Sequence, residues 1–285
     1  MPSSMTARRA TAACALAATL VAGACAAPDG SESGSGADDL RDGEWIIDDA
    51  VDPALAAEID AIAEEFDGEA AIALALPGAT SGDGPVSTGE LSDVAAWSTS
   101  KVPVAIAAHR ENPWVDDLIP SMISESDNYA AESLWVSLGG ETAAAKAVNE
   151  VLEDGGDTST EFEAWTAPGD VEWELPDQAA FAANLPCLDD ADPVLEAMGD
   201  IVDYQSYGLG DIDGAMFKGG WGPNLDGEYL SRQLGTIPAD GGVVGVAIAA
   251  RPGDATDDTA REMLDAIAEA IAEHSPHGGR CEDGS

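Results

Sequence analysis

The hydrophobic periodicity changes twice along the chain, and this order of segments constrains the fold more than any other feature. Residues 51–66 carry apolar side chains at helical spacing, which predicts an amphipathic helix. A continuous apolar run over 70–76, bounded by glycine and proline, predicts a buried strand with 86–91 as its hairpin partner. A block of helices follows, predicted at 98–110, 115–123, 127–138, 142–152, 177–184 and 193–202.

The last part of the chain returns to strands. Turns rich in Gly, Pro and Asp join segments 214–221, 228–237 and 243–250, which predicts consecutive antiparallel strands. A final helix is predicted at 255–273. The predicted fold class is therefore α+β, with an antiparallel five-stranded sheet flanked by the terminal helices plus an all-helical block. We expect a cleft between the sheet edge and that block.

Charge excludes two classes of function. The 285 residues include 55 Asp and Glu against 11 Lys and Arg, a formal net charge of −44. Binding to a nucleic acid or to an anionic membrane surface needs clustered cations, so neither is expected. The chain has only three lysines, Lys101, Lys146 and Lys218.

The N-terminus indicates export. Arg8 and Arg9 precede a short apolar run over 10–21, and small residues lead to Cys25. This pattern looks like a bacterial lipoprotein signal over 1–24 with Cys25 lipidated, so that the protein is extracytoplasmic and held at the membrane by its lipid alone. An ordinary secretory signal, and hence a secreted protein, is the alternative.

Composition divides the rest of the chain into three parts. Residues 25–43 are rich in Gly, Ser and Asp, which predicts a flexible tether. The globular domain is expected over 44–280 and a tail over 281–285. Cys187 and Cys281 could form a disulfide in an oxidising compartment, or remain two free thiols. The three histidines are not clustered with cysteines, so we predict no metal and no cofactor.

The first chemical motif is Ser98-Thr99-Ser100-Lys101, an S-x-x-K sequence at the start of a predicted helix. A serine hydroxyl becomes a nucleophile when a base removes its proton. A lysine three residues later lies one helical turn away on the same face, where its amine can serve as that base. Such pairs also occur by chance on helix surfaces, so the motif is weak alone.

Two further motifs have simple structural alternatives. Ser126-Asp127-Asn128 begins a predicted helix, where such residues commonly act as N-caps. Lys218-Gly219-Gly220-Trp221 lies on a predicted strand, where paired glycines can mark an edge or a bulge.

Together and in this order, the three motifs resemble the serine β-lactamase and penicillin-binding-protein superfamily, and class A β-lactamases above all. The resemblance covers about 51–273, and the order of helices and strands matches that family's layout. It implies a monomer that acts on a small-molecule, peptide or cell-wall substrate.

The resemblance also implies roles for individual residues. Ser98 would be the acylated nucleophile, Lys101 its proton acceptor, and Ser126 the group that protonates the leaving group. Lys218 would supply positive potential, and it would lower the pKa of Lys101 together with burial. The expected substrate-binding residues are Asn128, Gly219, Gly220 and Trp221, with the backbone N–H groups of Ser98 and Trp221 as the oxyanion hole.

This sequence departs from the family pattern in three places. Gly219 replaces the usual hydroxyl residue after the lysine, and no E-x-x-L-N segment supplies a base for deacylation. The span from Ser98 to Ser126 is short, which predicts a more open cleft. Between Asp154 and Asp177, where the base would be expected, the glutamates are Glu161, Glu163, Glu172 and Glu174, and none of them is assigned a role.

Two functions therefore remain open. The first is an exported serine hydrolase or acyltransferase that is acylated on Ser98, with weak or absent β-lactamase turnover. The second is a catalytically degenerate lipoprotein that uses the fold as a cell-envelope binding module. Retention of the serine and lysine motifs favours the first.

Overall fold

The structure is a computed structural model that describes residues 45–47, 50–91, 94–274 and 276–281. The predicted signal peptide, Cys25 and the tether lie outside the described residues. The strands are β1 (Trp45–Ile46), β2 (Glu69–Ala75), β3 (Val86–Gly89), β4 (Met216–Pro223), β5 (Tyr229–Ala239), β6 (Gly242–Arg251) and β7 (Pro276–His277). The α-helices are α1 (Pro53–Glu65), α2 (Lys101–Glu111), α3 (Ile119–Ser124), α4 (Asn128–Ser137), α5 (Glu141–Asp154), α6 (Leu175–Asn184), α7 (Asp192–Met198) and α8 (Asp257–Glu273).

Five strands form one antiparallel sheet in the order β3-β2-β6-β5-β4. The predicted α+β class is therefore confirmed. β4 lies at the edge of this sheet, and its Gly219 pairs with Gln233 of β5. β1 and β7 form a separate parallel pair that the periodicity does not predict, because two residues are too few to show a pattern.

The terminal helices cover one face of the sheet. α1 begins at a proline, and the Asp52 carboxylate caps it by accepting from the backbone N–H groups of Ala54 and Leu55. Leu55 of α1 and Leu264 of α8 are fully buried in the same core cluster as Ile72 of β2. Burying these apolar side chains between helices and sheet is the main force that holds this layer together.

Small residues form the other face, against which α6 packs. Ala71 and Ala73 of β2 share a buried cluster with Ala179 and Ala183 of α6. A Cβ at Gly245 of β6 would lie 2.2 Å from the Ala183 backbone nitrogen. The close contact between helix and sheet therefore requires glycine at that position.

The helical block is organised around α2, which is buried from Lys101 through Ala108. Its apolar side chains face all directions, as expected for a helix enclosed on every side. Helices α3, α4, α5 and α7 surround it. Cys187, just after α6, forms a disulfide with Cys281 near the end of the described chain.

Three predicted helices differ in their bounds. The helix predicted from Ser98 is a 3-10 turn over Trp97–Ser100 that continues into α2. The helix predicted at 115–123 is a 3-10 segment over Pro113–Leu118 followed by α3, since Pro120 favours a fresh helix start. α7 ends at Met198 because Gly199 follows, not at residue 202. Within the described segments, no helix combines the length and the apolar character that crossing a bilayer requires.

Candidate active site

Ser98 lies in the 3-10 turn that leads into α2, and its partly exposed side chain lines a cavity. The preceding residue, Trp97, has a positive φ of 48°, a conformation that is uncommon outside glycine. The hydroxyl of Ser100 donates to the Trp97 carbonyl at 2.7 Å and so fastens the turn. The local backbone is therefore constrained on both sides of the candidate nucleophile.

The Lys101 ammonium lies at the centre of the site. Its Nζ donates to the Ser126 carbonyl at 2.6 Å, to Ser126 Oγ at 3.0 Å and to Asn128 Oδ1 at 2.7 Å. Asp127, between these two partners, caps α4 by accepting from the backbone N–H groups of Tyr129 and Ala130. The capping and functional interpretations of this motif are therefore compatible.

Burial perturbs the acid–base behaviour of Lys101. Its side chain is 5% exposed. Loss of hydration lowers the pKa of Lys101 to about 8, although the nearby Asp127 carboxylate acts to raise it. The neutral form, which can accept a proton, is therefore more accessible near physiological pH than in a solvent-exposed lysine.

Lys218 is fully buried on β4, and its Nζ donates to the Gly219 carbonyl at 2.8 Å. Burial, and then repulsion from Lys101, lowers the pKa of Lys218 well below its usual value. The expected repulsion between the two lysines is therefore present, and it acts to lower the pKa of Lys218. That Lys218 also lowers the pKa of Lys101 stays a prediction.

The two glycines of the third motif differ in their surroundings. A Cβ at Gly220 would lie 2.8 Å from the backbone nitrogen of Ser98, so β4 runs directly against the nucleophile turn. A Cβ at Gly219 would meet nothing nearer than 3.6 Å, in the Trp221 ring. Gly220 is therefore required for the close approach, whereas Gly219 has room for a side chain.

A buried arginine connects the sheet to the nucleophile turn. Arg232 of β5 is fully buried, and its guanidinium donates to the carbonyls of Val94, Ala95 and Trp173. Its Nη2 also donates to Oε1 of Gln178 at 2.7 Å. The sequence analysis missed this residue, although an arginine within an apolar strand pattern was a usable signal.

The cavity between β4 and the helical block has a volume of about 700 Å³. It contains four of the predicted site residues in addition to Ser98, namely Lys101, Ser126, Asn128 and Trp221. Fourteen of the nineteen lining residues were not predicted as site residues, and Glu125, Asp170, Tyr204 and Gln205 are among them.

The segment from 161 to 174 holds the glutamates that could supply a deacylating base. Its four glutamates are exposed and none lines the cavity. Asp170 of this segment does line the cavity. Among the described residues, no three His, Cys, Asp or Glu side chains lie together in a way that could hold a metal.

Solved structures with the same fold identify the class of protein to which this chain is similar. The fold is that of the class A β-lactamases, as the sequence motifs predicted. A β-lactamase from Xanthomonas campestris superimposes with a TM-score of 0.60 at 18% identity, over 78% of this chain and 97% of that one. No family model matches the sequence, and no curated protein matches it significantly.

Two other solved structures give the same result. A β-lactamase from Chitinophaga pinensis has a TM-score of 0.59 at 14% identity, over 76% of this chain and 98% of that one. The class A β-lactamase from Mycobacterium abscessus has a TM-score of 0.56 at 17% identity, with the same coverage. At such identity the likeness establishes a β-lactamase-like serine hydrolase fold and leaves the activity to be argued from the site.

Proposed function

We propose that this protein is an exported serine hydrolase or acyltransferase that is acylated on Ser98 by an amide or ester. The observation that carries the proposal is the buried Lys101 amine, 3.0 Å from Ser126 Oγ and one turn from Ser98. A buried lysine with a lowered pKa is the activated base that a serine nucleophile needs.

The reaction follows from these positions. Ser98 Oγ attacks the substrate carbonyl carbon, and its proton passes to Lys101 Nζ. Ser126 Oγ then gives its proton to the leaving amine or alcohol and is reprotonated from Lys101. The bond to the leaving group breaks, and the acyl group remains on Ser98. The backbone N–H groups of Ser98 and Trp221 serve as donors to the oxyanion.

We further propose that deacylation is slow. The four glutamates between residues 161 and 174 are exposed, and none of them lines the cavity. Gly219 lacks the hydroxyl that helps related enzymes to bind a β-lactam carboxylate. The protein is therefore expected to form a lasting acyl adduct and to show weak or absent β-lactamase turnover.

Covalent labelling tests the proposal. The domain from residue 44 is incubated with a fluorescent penicillin and with a fluorophosphonate, and adducts are located by intact mass and peptide mapping. We expect a 1:1 adduct that Ser98→Ala abolishes and that Ser133→Ala, an exposed serine on α4, does not affect. Absence of an adduct with both probes would contradict the enzyme proposal.

A binding module of the cell envelope is the second candidate, and the missing hydroxyl at Gly219 favours it. Ligand binding that is unchanged in Ser98→Ala, with no adduct at any pH, would support this function instead.

The lipid anchor is proposed from the pattern around Cys25 and needs its own test. Intact mass of the full chain from a membrane fraction is expected to show a diacylglycerol-type mass increase that Cys25→Ser removes. A soluble, unmodified form that retains Cys25 would contradict anchoring.

A further inference from the structure

The cations near the cavity are already engaged. Lys101 lines the cavity, but its ammonium bonds three acceptors of the protein and its side chain is almost fully buried. Lys218 is fully buried and donates to its neighbour's carbonyl. Since both ammonium groups are buried and engaged by acceptors of the protein, neither offers an accessible positive charge to a ligand.

No arginine among the described residues lines the cavity. Arg110 pairs with Asp154 and Asp190 on the far side of the helical block. Arg232 is buried against backbone carbonyls. A carboxylate ligand would therefore lack the bidentate cation that usually recognises this group.

The cavity wall carries negative charge instead. Glu125, Glu132 and Asp170 line it, are exposed, and have no cationic partner within the described part of the chain. Gln205 lines the same wall and is 5% exposed. Its Nε2 donates to the Glu125 carbonyl, whereas its acceptor Oε1 has no hydrogen-bond partner in the described residues. An acceptor without a partner at the edge of a cavity suits a ligand that donates hydrogen bonds.

Aromatic rings complete the wall. Four of the nineteen lining residues are aromatic, compared with 5% of the whole chain, and they are Trp97, Trp135, Tyr204 and Trp221. Aromatic faces attract ammonium and guanidinium groups through cation–π interactions, and carboxylates attract the same groups through Coulomb interactions. The enrichment therefore suits a cationic ligand.

We propose that this cleft selects substrates with a positively charged group, such as an ammonium or guanidinium, and discriminates against those with a carboxylate. The inference rests on the proposed acylation of Ser98, and it specifies which acyl donors reach that serine. The charged group contacts the wall formed by Glu125, Glu132, Gln205 and the aromatic rings, while the carbonyl is presented to Ser98.

Three fluorophosphonate probes of equal size test the selectivity. They carry a trimethylammonium, a neutral tert-butyl or a carboxylate group, and the second-order rate constant of Ser98 labelling is measured for each. We expect the cationic probe to react about 10- to 1,000-fold faster than the anionic one at low ionic strength, a ratio that shrinks as salt screens the wall. Equal rates, or a faster anionic probe, would overturn the proposal.

Variants locate the charge discrimination. Glu125→Gln with Glu132→Gln is expected to reduce the ratio of cationic to anionic rates, with the rate of the neutral probe as the reference for both. Glu269→Gln, an exposed glutamate on α8 across the sheet, is the matched control and should keep the ratio. An unchanged ratio in the double variant would remove the wall as its cause.

A binding measurement separates this inference from the proposed chemistry. Ser98→Ala protein is titrated with choline and with its uncharged analogue 3,3-dimethylbutanol, and tryptophan fluorescence is followed. We expect choline to bind more tightly, whether or not any probe labels the wild type. Absence of labelling with a preference for choline would refute the acylation alone, and equal binding of the two ligands would refute the cation selectivity.

Discussion

Nε2 of Gln178 donates a hydrogen bond of 2.9 Å to Oγ1 of Thr99, the residue that follows Ser98. Oε1 of the same amide accepts from the buried guanidinium of Arg232 at 2.7 Å. A single side chain of α6 thus connects a strand of the sheet to the nucleophile turn. Because all three side chains are buried, the position of Ser98 depends on hydrogen bonds that water cannot replace.

Gln178→Leu is expected to weaken the turn, because it removes both hydrogen bonds at similar volume and leaves Arg232 with an unpaired donor. The free energy of unfolding should fall by about 1–3 kcal/mol, and labelling of Ser98 should slow in the fully folded protein. Urea denaturation and probe labelling measure the two effects. As a matched pair, Thr99→Ser retains the acceptor and should label like the wild type, whereas Thr99→Val should be slower. Equal labelling by all four proteins would show that this contact does not position Ser98.

The pH dependence of labelling should follow Lys101. With the neutral probe, the rate is expected to rise with pH through about 8, because only the neutral amine accepts the serine proton. The Asp127 carboxylate raises that pKa, so Asp127→Asn should shift the midpoint to lower pH and label faster than the wild type at pH 7. Asparagine also caps helices well, so α4 is expected to remain folded.

The control for this shift is Asp192→Asn, an exposed residue at the start of α7 outside the cleft. It should leave the midpoint in place. A midpoint that is unchanged or higher in Asp127→Asn would contradict the role of Asp127.

Gly220→Ala should damage the site far more than Gly219→Ala. A Cβ at Gly220 would come within 3.0 Å of atoms of Ser98, Trp97 and Ala96, so the strand or the turn must move. We expect unfolding to become easier by about 1–3 kcal/mol and labelling to fall sharply. Gly219→Ala makes ordinary contacts and should label normally. Similar behaviour of the two variants, measured by labelling and thermal unfolding, would disagree with the close packing of β4 against the turn.

The Cys187–Cys281 disulfide is expected to stabilise the fold without affecting the chemistry. It spans 94 residues of sequence, and a cross-link of that length constrains the unfolded chain strongly. Replacing both cysteines with serine should lower the free energy of unfolding by about 2–5 kcal/mol in urea. Reduction of the wild type should give the same loss, and labelling should stay unchanged at low urea. Equal stability of oxidised and reduced protein would contradict this.

Much of the fold could be predicted because each long element has its own apolar period. The helical stripe of α1 and the continuous run of β2 both survive in the structure. The convergence of Lys101 with Ser126 and Asn128 was implied by the resemblance that the three motifs carry, and the spacing within each motif does not predict it.

The remaining features of the site depend on tertiary contacts that local patterns do not encode. Arg232 meets Gln178 across 54 residues of sequence, and no spacing rule joins them. Ser126 has a φ of 59°, a conformation that a serine adopts rarely and that its neighbours in space must impose. Asp170 reaches the cavity because the segment before α6 bends toward Trp97. The four glutamates between residues 161 and 174 are exposed to solvent instead.

The pairing of β1 with β7 places both ends of the described domain beside the β5–β6 hairpin, where the Gly278 backbone N–H donates to the Asp240 carbonyl. Asp240 lies seven residues along the chain from Gln233, the partner of Gly219, a span of about 20 Å in an extended strand. Either end of the described domain therefore lies well away from the cleft. A label, a fused domain or a solid surface can be attached there, and Ser98 stays open to reagents in solution.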